Sequence, residues 1–232
     1  MIDMNGRRVL VVTPHPDDAE SGAGGTIAKW SGQGVKVVLV VCTNGNKGTS
    51  DRSQSSSDVA KTRRKEQTAA AKVLGITTII FLDHPDQELE DNFKFRQELV
   101  REIRTHRPDV VITIDPERKW IRHRDHFVTG RVALDAVFPY ARDHLSYSAM
   151  LEDGLEPHKV KEVYLWGSDE PDVFIDIDLT FGKKVDALYC HSSQMSLTKE
   201  AGSARLRNRF SQYGYKVHAE LAEPFKRLEL RT

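Results

Sequence analysis

The 232-residue sequence predicts a doubly wound α/β fold with a mostly parallel sheet flanked by helices. Short β-branched runs alternate with stretches of helical spacing, and the connections between them are short. The residues able to do chemistry follow two of those runs, the first and the fourth. In the expected strand order 3-2-1-4-5 these two are neighbours, and the crevice beyond their carboxyl ends is where such sheets bind ligands.

The elements follow in order. Val9–Val12 is an apolar first strand, and the polar segment Thr13–Gly25 leads into a helix over Ile27–Gly34. Val35–Cys42 is a β-branched second strand, followed by a Gly- and Ser-rich loop over Asn44–Ser57. Val59–Leu74 has helical spacing, with Ala70, Val73 and Leu74 on one side and Gly75 as C-cap. Ile76–Leu82 is the third strand, Phe93–Thr105 a helix, Val110–Ile114 the fourth strand and His126–Phe138 a helix. Residues 139–160 form a long irregular insertion, of the kind that often carries function and that would help build a substrate pocket. Val163–Trp166 and Val173–Ile175 read as later strands and Phe181–Cys190 as a helix. The chain reads as one Rossmann-like domain over 1–232, with a core at about 8–195 and a charged, helical tail over about 196–232 packed on that core or on a partner subunit.

Composition narrows the function. Lys plus Arg number 34, equal to Asp plus Glu, so no global basic field gathers nucleic acid. Cys42 and Cys190 are far apart and read as buried free thiols. No run approaches the length of a membrane span, and the first residues lack a signal-peptide core, which points to the cytoplasm.

The first strand runs into His15-Pro16-Asp17-Asp18. An imidazole and two carboxylates there can hold a divalent metal and still leave one carboxylate facing substrate. The loop after strand four carries His123-Arg124-Asp125-His126, whose two histidines are three apart at a helix start and can share a face. His15 and Asp18 from one loop with His126 from the other would give three protein ligands and an open position, as in a catalytic zinc site. Asp125 is spaced to orient a histidine from behind. Glu20 reads as a first-turn charge complementing the helix dipole. Gly22-x-Gly24-Gly25 fails as a dinucleotide loop, because the third glycine would fall at Ile27.

These motifs resemble the PIG-L/LmbE family of zinc-dependent N-deacetylases. The resemblance rests on His15-Pro16-Asp17-Asp18, Gly24-Gly25, Thr43-Asn44-Gly45, Arg63-x-x-Glu66 leading to Leu74-Gly75, Pro85-Asp86, His123-x-Asp125-His126 and His191-x-Ser193-Gln194. It implies a hydrolase that removes an acyl group, often acetyl, from the nitrogen of an N-acetylglucosamine-type sugar. It implies one zinc per chain, held by His15, Asp18 and His126, although iron(II) or another divalent ion suits the same ligands. It implies Asp17 as general base, a protonated His123 as acid or oxyanion stabiliser, and Arg63, Asp86 and His191 as substrate-binding residues. Either Asp17 or His123 would protonate the leaving amine. A homo-oligomer is implied as well.

Bland readings stand beside these. Arg63 sits among Lys61, Arg64 and Lys65 on a helix face, Asp86 could be only a turn residue, and His191 could be a helix C-terminal histidine. His144 and His158 read as surface residues, and Trp120 as either packing or a pocket wall. The chain departs from the family at Arg124, where Pro is usual, at Pro14, where Ala is frequent, and at Ile121, where some thiol-precursor deacetylases carry Tyr. These departures bear on substrate choice. A metal-dependent amidase on a non-sugar acyl amide shares the same core. A binding module with a vestigial site is a third reading, which intact Asp17 and His123 oppose.

Overall fold

The computed structural model describes residues 4–120 and 123–230, so Ile121 lies outside the described residues. Seven strands form one sheet: β1 (Arg8–Thr13), β2 (Lys36–Thr43), β3 (Thr78–His84), β4 (Val110–Ile114), β5 (Glu162–Trp166), β6 (Val173–Asp176) and β7 (Ala222–Glu229). Their order is β3-β2-β1-β4-β5-β7-β6. The first five pair in parallel in the expected order, and β7 pairs antiparallel with both β5 and β6.

The helices are α1 (Asp18–Gly32), α2 (Ser56–Leu74), α3 (Phe93–His106), α4 (Arg124–Asp135), α5 (Phe181–Leu188) and α6 (Lys199–Gly214). They cover both faces, as a buried parallel sheet requires. On β1 and β2, residues Val9, Val11, Val37, Leu39 and Val41 face one core layer with Ile27 and Ala70 of α1 and α2. The alternate residues Leu10, Val12, Val38, Val40 and Cys42 face the other, with Leu99 of α3 and Val132 of α4. Cys42 and Cys190 are free thiols, but only Cys42 is buried.

Four expectations need correction. The first helix begins at Asp18, not Ile27. Its glycines would ordinarily weaken a helix by about 1 kcal/mol each. At Gly22, however, a Cβ would lie 2.4 Å from Cδ1 of Trp166, so the glycine lets α1 approach the end of β5. Close packing outweighs propensity here.

The fourth helix starts at Arg124 rather than His126, and after Asp135 passes into a wider turn over Ala136–Tyr140, broken at Phe138 (φ −147°, ψ 120°). The tail is not wholly helical: after α6 it returns as β7 within the sheet. Its charges masked the strand. Glu223 is fully buried, 2.7 Å from the equally buried Lys184 of α5, and accepts the amides of Gly25 and Thr26. Lys184 also donates to the carbonyls of Glu20 and Ser21, so the pair satisfies the backbone of α1 from the side.

The 139–160 insertion packs along α3. Arg104, almost wholly buried, donates to the carbonyls of Tyr140, Ala141, Asp143, Ser146 and Tyr147. His158, half-buried, contacts the carbonyl of Pro108 at the amino edge of β4, opposite the end that carries the candidate ligands. A single arginine thus fixes a mostly irregular segment, whose one short 3-10 turn is Ser148–Leu151, as a flank of the domain.

Among the described residues no helix is long and apolar enough to cross a membrane. Gly130 of α4 sits where a Cβ would come 2.4 Å from the carbonyl oxygen of Ile114 at the end of β4. Gly130→Ala is therefore expected to cost about 1–3 kcal/mol through overpacking. A urea midpoint equal to that of the wild type would show that this approach is not tight.

Candidate metal and catalytic site

The site begins where β1 ends. Pro14 and Pro16 restrict the loop backbone, the carbonyl of Pro14 accepts the amide of Thr43 at 2.9 Å, and the carboxylate of Asp18 accepts the amide of His15 at 3.2 Å. The loop therefore turns back on itself and presents His15 and Asp18 to the same point. Asp17 between them lies at φ 104°, ψ −25°. Such a backbone costs a non-glycine residue about 1–3 kcal/mol and persists only where its surroundings over-determine it.

α4 supplies the other wall. His123 caps this helix, its Nδ1 accepting the amide of Asp125 at 3.2 Å. A neutral ring in that position carries its proton on Nε2 and donates from there. Burial and the neighbouring His15 and His126 hold its pKa below the ordinary value. His123 can therefore serve an oxyanion as a neutral donor, without the second proton the sequence reading gave it.

His15 is the centre of the arrangement. Its Nδ1 is 2.9 Å from Asp18 Oδ2 and 3.2 Å from His126 Nε2, and His126 Nε2 is 3.0 Å from the same Asp18 oxygen. A tetrahedral ion with bonds of about 2.0–2.1 Å spaces its ligand atoms about 3.3 Å apart, so this triangle fits a zinc-sized cation. The ring nitrogens of His15, His123 and His126 also lie within 4.8 Å of one another. His123 already uses Nδ1 as a cap, which leaves Asp18 as the better-placed third donor.

The far side of His15 is fixed too. Nε2 is 3.1 Å from Asp125 Oδ2 and 3.0 Å from Asp86 Oδ1. Asp125 is fully buried and also accepts the amides of Gln87 and Leu89. It thus orients His15 in the way carboxylates orient metal-bound imidazoles. Burial works against a charged His15, but hydrogen bonds to Asp125, Asp18 and Asp86 more than offset it and push the pKa up to about 11. Burial likewise opposes the Asp18 carboxylate, yet His126 and His15 hold it far below the usual range.

Asp17 goes the other way. Burial, reinforced by the Asp18 charge and opposed by Arg63 and His191, raises its pKa to about 7. That is the range a general base needs at neutral pH. Arg63 is buried and directs Nη2 to the carbonyl of Pro16 at 2.5 Å and to Asp17 Oδ2 at 2.9 Å, and Nη1 to the carbonyl of Gly45 at 3.2 Å. In this structure those donors hold the loop and aim Asp17.

Of the sequence-derived residues, His15, Asp17, Asp18, Arg63, Asp86, His123, Asp125 and His126 come together. His191 is placed behind α1, fully buried, with Nε2 3.6 Å from Glu20 Oε2. Glu20 lies in the first turn of α1, as expected, and is fully buried there, accepting Nε2 of Gln67 at 2.7 Å. Gln67 was not singled out in the sequence, and Glu66 was read there only as part of the Arg63-x-x-Glu66 motif, with no partner assigned. Glu66 accepts from Ser192 Oγ and from the amide and Oγ of Ser193, tying the His191–Gln194 segment to α2. The available signal was spacing, since positions three and four after Arg63 share its helical face. Arg124 occupies the first turn of α4, a position proline also suits, and donates to the carbonyl of Leu89 at 3.2 Å.

With this geometry in view, comparison with known proteins is decisive. Residues 10–137 match the family described as PIG-L, GlcNAc-PI de-N-acetylase. The chain belongs to the PIG-L family. It is 35% identical over 188 residues to the diacetylchitobiose deacetylase of Thermococcus kodakarensis, covering 81% of this chain and 70% of that one. It is 32% identical to the mycothiol S-conjugate amidase of Streptomyces coelicolor, over 71% of this chain and 62% of that one. The N,N'-diacetylchitobiose deacetylase from Pyrococcus horikoshii, solved with an inhibitor, superposes with a TM-score of 0.91 at 32% identity, over 97% of this chain and 85% of that one. The protein is thus a hydrolase of the PIG-L deacetylase and amidase class.

Two outcomes follow for metal binding. His126→Ala removes one corner of the triangle and is expected to lose stoichiometric metal on dialysis; full retention would exclude His126 as a ligand. The raised pKa of His15 keeps both its nitrogens protonated between pH 6 and 8 in the metal-free site. Binding must then displace one proton, so affinity should fall about tenfold for each pH unit lowered. Metal affinity that does not change over that range would contradict this picture.

Proposed function

We propose that this protein is a zinc-dependent N-deacetylase acting on an N-acetylglucosamine-type sugar or conjugate, with His15, Asp18 and His126 as ligands and Asp17 and His123 as catalytic residues. The observation that carries the reading is the triangle of three donor atoms about 3 Å apart beside the strained Asp17. A divalent metal held by these three residues would supply polarisation of the amide carbonyl and acidification of water.

The chain's own residues do the rest. Asp17 accepts the proton of the attacking water, its carboxylate held by Arg63 at 2.9 Å. His123, capped at Nδ1, offers Nε2–H to the oxyanion that forms on the carbonyl oxygen. One such donor is worth about 3–4 kcal/mol in the transition state. The proton taken by Asp17 is then available to the departing amine. Asp86 lies beside His15, and its amide donates to Asn46 Oδ1 at 3.0 Å. Asn46 in turn lines an open cavity of about 550 Å³ with Asn44, Ser56, Lys61, Arg64 and Asp83. Amide, hydroxyl and charged groups in such a wall suit a hydroxylated substrate. The likeness to a mycothiol conjugate amidase keeps a second reading, hydrolysis of a non-sugar acyl amide by the same centre.

Amine release by zinc-loaded protein, with and without chelator, tests both readings against N-acetylglucosamine, its chitobiose dimer and its inositol and malate conjugates. Chelator-sensitive release from a sugar supports the deacetylase; none from any sugar, with one zinc per chain, moves the assignment to the amidase. Asp17→Asn is expected to keep zinc and lose about 100- to 10,000-fold in turnover. Wild-type turnover in that variant would remove Asp17 as base. His123→Ala should lower kcat about 100- to 1,000-fold, and an unchanged kcat would remove its donor role.

A further inference from the structure

The catalytic loop has a partner that the chemistry above does not use. The amide of Asp17 donates to Oε1 of Gln67 at 3.2 Å, and Nε2 of Gln67 donates to Oε1 of Glu20 at 2.7 Å. Behind Glu20 lies His191, with Nε2 3.6 Å from Glu20 Oε2. Gln67, Glu20 and His191 are all fully buried. Among the described residues, Glu20 Oε2 and both ring nitrogens of His191 have no hydrogen-bond partner. Three buried polar residues in file, from α1, α2 and the segment after α5, are a costly thing to keep in an interior unless they hold something.

What they hold is the peptide of Asp17. Arg63 restrains its carboxylate and the carbonyl of Pro16, but the Asp17 N–H is engaged by Gln67. At φ 104° the backbone relaxes toward ordinary values unless that N–H is fixed, and relaxation would swing the carboxylate away from its place beside Asp18. We propose that Gln67, held by Glu20 with His191 behind it, is a positioning residue that clamps Asp17 in its strained backbone conformation and so sets the aim of the catalytic base. The metal ligands do not depend on this clamp. His15 and Asp18 are bound to each other, and His15 also to Asp125. The inference rests on Asp17 acting as the base.

The clamp can be reversed in polarity. Gln67→Glu keeps an acceptor for the Asp17 amide but sets two carboxylates against each other. Adding Glu20→Gln restores a donor, now from position 20 to position 67. Gln67→Met removes both functions at similar volume and stands if Gln67→Glu does not fold. With N-acetylglucosamine as substrate, Gln67→Met and Gln67→Glu are expected to retain about one metal per chain and a KM within about twofold, while kcat falls about 100-fold, the scale of an ångström-sized misplacement. The double variant Glu20→Gln/Gln67→Glu should recover kcat to within about tenfold of the wild type. A wild-type kcat in Gln67→Met, a fall in kcat that tracks loss of metal, or no recovery in the double variant would overturn the clamp. Asp17→Asn measured alongside separates the two readings. If it is inactive while Gln67→Met is fully active, only the clamp falls; if it is active, the base assignment and the clamp fall together.

Discussion

The structure of the site depends on one imidazole being held from both sides. His15 faces Asp18 and His126 through Nδ1, and Asp125 and Asp86 through Nε2. Asp125 also takes the amides of Gln87 and Leu89, so the loops after β1 and β3 and the start of α4 meet at a single ring. Three elements far apart in the chain are thereby brought into register to within a hydrogen bond. Any cation placed there displaces the Nδ1 proton of a histidine whose orientation is already fixed by the carboxylates at Nε2.

The two neighbouring aspartates show how environment divides the labour of one dipeptide. Asp18 lies between two imidazoles and stays ionised, while Asp17, buried against the Asp18 charge, is raised to about 7. Opposite pKa displacements in adjacent carboxylates are what separates a ligand from a base. On the other wall, His123 has its Nδ1 tied to the helix it caps. The side chain that caps the helix also faces the site, so the start of α4 and the direction of its Nε2 cannot vary independently.

Much of this was legible in the residues. The β-branched runs gave five parallel strands in the right order, because strands buried on both faces cannot disguise their apolarity. That His15-Pro16-Asp17-Asp18 and His123-x-Asp125-His126 would meet was legible because both follow neighbouring strands of such a sheet. What was hidden depends on tertiary pairing. The helix through Gly22 looked like loop until Trp166 supplied the reason for a missing side chain. β7 looked like part of a charged helical tail because Glu223 is charged, and only Lys184 in a distant helix makes it an interior residue. The roles of Glu66 and Gln67 were equally invisible, since each is defined by what it meets across the fold.

The place of β7 between β5 and β6 also orders the assembly of the molecule. Among the described residues β6 pairs only with β7, so residues 173–176 have no strand partner until residues 222–229 arrive. The five parallel strands can form from the earlier chain, whereas the antiparallel extension is a late, non-local closure of the sort that slows folding. The same strand carries Glu223, which with Lys184 braces the first turns of α1. During synthesis the His15–Asp18 loop is made before β7, yet the helix that follows it is buttressed only when that strand docks. A chain lacking β7 would therefore hold all of the candidate site residues while lacking the rigidity that aims them.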